Sequence, residues 1–310
     1  MAAPIIISFG GGKGGVGKST IVTNIGATLS KKGFRVGYID ADLAGANLHT
    51  CLGVKRPKTG LQDFLSGKVK DISKATITTK VPNSWLLSGA SDILDIANPH
   101  YAKKQKLLKS FKKLPADYIL IDLGAGSSAN ITDFFTEFPN GVVVSDSMPT
   151  SIENAYSFLK NGLIRGTMRL FPGQQDIQVF MRSKFSANSE NPFLTVKELL
   201  QELKSEFPIE REVIIKWLKS RNTFLVLNMV KNKKDLLVIE KFSEIVKKYL
   251  NVTIHYIGYL IYEERVRDSI RTMNPFVLDE NSEQPSACIS SITDNLIKLT
   301  KLDNEAIDGI

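Results

Sequence analysis

This sequence predicts an α/β protein, on three observations. Short apolar, often β-branched runs alternate with helical patterns along most of the chain. The first such run, IIIS, breaks into a glycine-rich stretch from which a helical pattern opens at Lys18 and Ser19. Two later runs end in carboxylates, Asp40 with Asp42 and then Asp122, at the strand ends where an open α/β sheet collects its ligands. The 310 residues allow one large α/β domain or two small ones, and a 43% apolar content is ample for a sizeable core. No internal repeat or low-complexity segment argues for a second unit, so a single domain over 1–310 is expected.

Taken in order, Ile5, Ile6 and Ile7 read as a strand buried on both faces. Gly12, Gly17, Lys18 and Ser19 then fit G-x-x-x-x-G-K-[ST]. Glycines at this spacing let the backbone fold tightly, so that successive N–H groups point at one anion. The helix that follows adds its positive N-terminal end. Lys18 adds a point charge for terminal phosphates, and the Ser19 hydroxyl is a ligand for magnesium. The stretch therefore predicts a site for a nucleoside triphosphate with Mg2+.

A helix over 19–32 has Val22, Ile25 and Leu29 on one face and Gly33 as its stop. A strand over 35–39 delivers Asp40 and Asp42; for Asp40 a strand-end turn residue is the competing reading. A short helix over 59–66 and a strand over 85–88 come next. The helix over 101–113 has Leu107, Leu108 and Phe111 as its buried stripe. That leaves Lys103, Lys104, Lys106, Lys109, Lys112 and Lys113 to coat its outer face. With a net charge of +8, that face is either simply solvated or a surface for nucleic acid or acidic lipid.

The run over 117–123 is a buried strand tipped by Asp122, and 141–145 is another, followed by a helix opening near Thr150. Strands follow over 223–230 and 253–258, and a closing helix over 286–302 carries Ile289, Ile292, Leu296 and Leu299 on one side. Between them, Thr195 and Glu198 form a capping box ahead of Val196, Leu199, Leu200 and Leu203. Pro208 takes a first helical position before an apolar face of Val213, Ile214, Trp217 and Leu218. The region from about 163 to 222 reads as a small helical insertion, either a cover for its own sheet or a dock for a partner.

Cys51 and Cys288 lie far apart without a C-x-x-C, which suits a reduced cytosolic setting, and the three histidines have no metal-ligand spacing. The first strand begins too early to leave room for a signal peptide, and no apolar stretch approaches the roughly 18 residues of a membrane span. A cytoplasmic protein is expected.

KGGVGKST, DADLAGANL, DLGAG and LVLNMV, in this order and spacing, resemble the MinD/ParA class of P-loop ATPases, whose deviant Walker A carries the extra lysine seen here as Lys13. D-x-G-A-G is most similar to the flagellar-number group FlhG and FleN; other members usually have proline where Gly124 stands. The resemblance implies a doubly wound, mainly parallel sheet with helices on both faces. It implies an ATPase that dimerises on ATP, with a partner stimulating hydrolysis. In that scheme the N–H groups of Gly12, Lys13, Gly14, Gly15, Val16 and Gly17 cradle the phosphates with Lys18, and Thr20 lies near the α-phosphate. Ser19, Asp122 and Asp40 hold Mg2+. Lys13 completes the partner subunit's site, Asp42 orients the attacking water, and Gly126 senses the γ-phosphate through its backbone. Asn228, whose plain alternative is a turn former, reads the adenine edge, and the backbone over Leu260, Ile261 and Tyr262 packs on the base. The implied partners are a second copy of the chain and a further protein. The alternative is a ParA-type partition ATPase whose ATP dimer binds DNA without sequence preference. The last helix, with only Asp294, Lys298 and Lys301 charged and an acidic end after it, is not expected to bind a membrane.

Overall fold

Alternate residues of the central strands drop into two different cores, which is why those strands read as unbroken apolar runs. Ile6, Ile39, Ile119 and Ile121 belong to one core. Ile7, Tyr38, Tyr118 and Leu120 belong to the other. The computed structural model describes residues 3–42, 45–89, 101–185 and 195–307, with the backbone alone for 101–103 and 301–307.

In chain order the elements are β1 (Ile5–Gly10), α1 (Lys18–Lys31), β2 (Val36–Asp40), α2 (Leu48–Cys51), α3 (Leu61–Leu65), β3 (Ile77–Thr78), β4 (Ser84–Leu87), α4 (Tyr101–Phe111), β5 (Tyr118–Asp122) and α5 (Ala129–Glu137). They continue with β6 (Asn140–Ser145), α6 (Pro149–Met168), α7 (Gln175–Phe185), α8 (Val196–Glu206), α9 (Pro208–Lys219), β7 (Asn222–Val230), α10 (Val238–Leu250), β8 (Ile254–Ile261), α11 (Glu264–Arg271) and α12 (Glu283–Ile307). The strands form one 8-stranded sheet in the order β3-β4-β2-β5-β1-β6-β7-β8. Every pairing is parallel except the short edge pair β3 and β4. Helices α1 and α12 cover one face through Ile21, Ile25, Ile289 and Ile292. The other face is covered by α4 to α10, with Phe111, Phe158, Leu199, Ile214 and Phe242 among its buried residues. The doubly wound α/β architecture expected from the sequence is what the chain adopts.

Register places the site. Asp40 of β2 pairs directly with Asp122 of β5, and Phe9 of β1 lies across from Asp122 on the other side. The chain leaves β1 at the centre of the sheet, between neighbours reached in opposite directions, where an open α/β sheet has its crevice.

Several local expectations change. β8 runs to Ile261 rather than stopping at Gly258, because that glycine is a bulge inside the strand. Its φ of +141° and the Ile292 side chain, 2.7 Å from where a Cβ would stand, require glycine there. The start expected for the insertion, 163, falls inside α6, which continues to Met168. The Thr195 box caps α8 as read, with Glu198 N–H donating to Thr195 Oγ1 at 3.2 Å and Thr195 N–H donating to Glu198 Oε2 at 2.7 Å. Pro208 opens α9, and Ile214 and Leu218 are buried with Trp217 packed beside them, but Val213 is 44% exposed rather than part of that face.

Lys104 departs most from its expectation. Instead of lying on the outer face of α4 it is 4% exposed, ion-paired with Asp133 of α5 and donating to Asn130 Oδ1 at 3.2 Å. Arg165 of α6 grips the same carboxylate through Nε and Nη2, both at 3.1 Å. Arg169, which caps α6, pairs with Glu137. Burial works to raise the Asp133 carboxyl, but its hydrogen bonds and charges from Arg165 and Lys104 hold it below the usual range. The cluster clamps the helix that follows Asp122. Lys106, Lys109, Lys112 and Lys113 are not buried, whereas the Lys103 and Lys301 side chains lie outside the described residues.

Candidate functional site

At the C-terminal end of the sheet, β1, β2, β5, β7 and β8 with α11 surround a cavity of about 680 Å³. Its floor is the glycine-rich turn. Gly15 and Gly17 adopt φ of +80° and +82°, the left-handed region that L side chains avoid. Gly17 is the N-cap of α1, whose first turn carries no acidic residue, so the helix's positive end faces the cavity unneutralised.

Lys18 is 8% exposed and lines the cavity. Burial lowers its pKa, and the charges of Asp122 and Asp42 push it back up. Asp122 is 3% exposed, and its Oδ2 accepts the Ser19 hydroxyl at 2.5 Å. Its Oδ1 is buried without a partner. Burial pushes the Asp122 pKa up to about 6, against the Ser19 hydrogen bond and the Lys18 charge, which lower it. Asp40 is fully buried, and burial first, then the Asp122 charge beside it, raise its carboxyl well above the usual range. Its oxygens accept the N–H groups of Asp42 at 3.2 Å and Leu48 at 3.0 Å.

A hydroxyl and a carboxylate with one orphaned oxygen form a donor set for a hard divalent cation, and a buried unpaired carboxylate oxygen calls for one. Ser19 and Asp122 therefore fit magnesium. Among the described residues no cluster of three His, Cys, Asp or Glu side chains could hold a metal by itself. A cation here would draw its remaining ligands from phosphate and water. Asp40 spends one oxygen on the Asp42 N–H and the other on the Leu48 N–H that starts α2, so its geometry is that of a backbone clamp rather than a direct ligand.

Asp42 lines the cavity, half-buried, and accepts the Gly45 N–H at 3.0 Å. Its carboxylate carbon lies 3.1 Å from where a Cβ on Gly124 would stand, so a bare glycine gives it room.

The expected residues divide. Gly14, Gly15, Gly17, Lys18, Ser19, Thr20, Asp40, Asp42, Asp122, Asn228, Ile261 and Tyr262 line the cavity. Gly12, Lys13, Val16, Gly126 and Leu260 do not. Gly12 lets the turn pack on α6, where a Cβ would meet the Asn154 carbonyl oxygen at 1.9 Å. Lys13 is exposed and outside the lining of its own cavity. Val16 is 2% exposed and its carbonyl accepts the Asn228 side-chain amide at 2.8 Å. Asn228 Oδ1 accepts the Met229 N–H at 2.8 Å, so this side chain ties β7 to the phosphate-binding turn as well as facing the cavity. Gly126 takes φ of +87°. Leu260 is fully buried in the α1–α12 core, because strand alternation turns it away from the cavity that Ile261 and Tyr262 line.

No expectation from the sequence fell on α11. Val266, Arg267 and Ile270 complete one wall of the cavity together with Met229, which sits at φ of +58°. The amphipathic spacing of Val266 and Ile270 was the available signal.

The profile of the CobQ/CobB/MinD/ParA nucleotide binding domain matches residues 7–298. The Helicobacter pylori flagellum site-determining protein YlxH is 36% identical over 156 residues, 50% of this chain and 52% of its own. The chain thus matches about half the length of this curated relative. The cell division ATPase MinD of Pyrococcus furiosus superposes with a TM-score of 0.66 at 20% identity, covering 95% of this chain and 98% of its own. The septum site-determining protein MinD of Pyrococcus horikoshii, solved with Mg-ADP, gives 0.65 at 20% identity, covering 96% and 97%. At these identities the two structures speak for the fold. No described helix is long and apolar enough to cross a membrane.

Proposed function

The chain belongs to the CobQ/CobB/MinD/ParA nucleotide-binding family, and we propose that it is a magnesium-dependent ATPase that switches between single and paired subunits to govern the placement or number of a cellular structure. The observation that carries this reading is the convergence of Lys18, Ser19, the orphaned Asp122 oxygen and Asp42 on one cavity at the end of the central strands.

The N–H groups of Gly14 to Ser19 and the Lys18 ammonium bind the phosphates, and Thr20 lies beside the α-phosphate. Ser19 and Asp122 hold magnesium, which when bound draws charge from the terminal phosphates. Asp42 holds a water in line with the γ-phosphate and accepts its proton. Asp40 holds the N–H groups of Asp42 and Leu48, so that the Asp42 carboxylate stays aimed. The base lies against Ile261 and Tyr262, with Asn228 reaching the cavity beside them. Lys13, exposed at the rim, completes the site of a second copy and steadies charge developing on its nucleotide. The likeness to a flagellum site-determining protein supports placement as the outcome. A further protein reads the paired state, and α7 to α9 are the helical insertion that offers it a surface.

Phosphate release from ATP with magnesium tests the chemistry. Lys18→Ala should lose nucleotide binding, and Asp42→Ala should bind ATP but turn over near background. Normal turnover in Asp42→Ala would move the water-holding role to another residue.

A further inference from the structure

Four carboxylates line the cavity, Asp40, Asp42, Asp122 and Glu263, against two cations, Lys18 and Arg267. A polyanionic ligand needs both. Lys18 already answers Asp122 and Asp42 at the γ-phosphate end. Arg267 also lines the cavity, from α11, and is exposed. Its two neighbouring arginines are spent on the protein: Arg265 lies 3.7 Å from Glu263, and Arg271 pairs with Asp268 at 3.0 Å. Among the described residues the Arg267 side chain has no hydrogen bond or ion pair.

Its position along the cavity follows from helix geometry. Ile270, three residues on and therefore on the same face, shares a small cleft with Thr20, Asn24 and Cys51. That end of α11 thus abuts the first turn of α1. Arg267 lies one turn back, towards Tyr262 and Glu263, which open the helix. It stands between the first turn of α1 and the base wall.

We propose that Arg267 is a binding residue for the α-phosphate, closing its guanidinium over the end of the phosphate chain that Lys18 does not reach. The proposal rests on the nucleotide reading above and adds a specificity: the site prefers nucleotides to nucleosides partly through α11. A guanidinium suits the task because two N–H groups can meet two phosphate oxygens at once, which an ammonium cannot do.

The test is a competition titration of a fluorescent ADP analogue by ADP and by adenosine, with wild-type chain, Arg267→Gln and Arg267→Lys. Because Arg267 is exposed, both variants should keep the wild-type melting temperature. Arg267→Gln should weaken ADP about tenfold and leave adenosine unchanged; Arg267→Lys should recover part of the loss. Equal weakening of ADP and adenosine would place the side chain on the base, and unchanged ADP affinity would leave it in solvent; either overturns the proposal. A wild-type chain that binds no ADP would instead overturn the nucleotide reading itself.

Discussion

Replacing Asp122 by asparagine should make the nucleotide-free protein more stable while disabling it. In the free chain this carboxylate is buried with one oxygen unpartnered, and its pKa is pushed from 3.8 to about 6. About two units at about 1.4 kcal/mol each makes the ionised side chain a burden of roughly 3 kcal/mol at neutral pH. The direction of the pH dependence follows. Below about pH 4 the carboxyl is protonated whether the chain is folded or not, and the burden vanishes. Between about pH 4 and 6 the unfolded chain ionises it first, so stability falls; above that range the loss is constant. Asp122→Asn removes the charge and keeps an oxygen for the Ser19 hydroxyl. Urea unfolding without nucleotide should show a gain of roughly 3 kcal/mol at pH 7.5 and about half of that at pH 5, while magnesium-dependent ADP binding is lost. A variant no more stable than wild type at pH 7.5, or a gain independent of pH, would refute the claim that this carboxylate waits for a cation. Such opposition between stability and function is characteristic of a site built for an absent charge.

Other outcomes follow from the same geometry. Asp133→Asn leaves Lys104 buried without its counter-charge and should lower stability by about 3–5 kcal/mol in urea titration; a loss under about 1 kcal/mol would mean that Asn130 suffices as partner. Gly12→Ala drives a Cβ to 1.9 Å from the Asn154 carbonyl oxygen, so the turn must move off α6; a sharp drop in melting temperature and in ADP affinity is expected, and wild-type values for both would contradict the packing. Lys13→Ala should bind ATP with unchanged affinity yet stay a single subunit by light scattering, and pairs in that variant would remove its role in the neighbouring site.

What the sequence made legible was what local spacing determines. The glycine turn, the carboxylates at strand ends, the Thr195 box and Pro208 at the head of a helix each depend on residues within one turn or one strand. What depended on distant packing was not legible. Lys104 sits in an amphipathic pattern like its neighbouring lysines, and only Asp133, 29 residues away and on another helix, explains its burial. Gly258 looks like a strand end because its close approach to Ile292 exists only once α12 has docked. Leu260 and Ile261 differ by one step of strand alternation, which decides core against cavity and cannot be set until the strand's register is known. Arg267 was missed for a similar reason: α11 reads as a polar helix until it is placed across from α1. The short antiparallel β3, two residues long, carries too little pattern to notice.

The central claim, a magnesium nucleotide shared between two copies of this chain, is tested most directly by sedimentation velocity of Asp42→Ala with magnesium and either ATP or ADP. A species of twice the 34.3 kDa chain mass is expected with ATP and one of the single mass with ADP. The single mass with both nucleotides would contradict it.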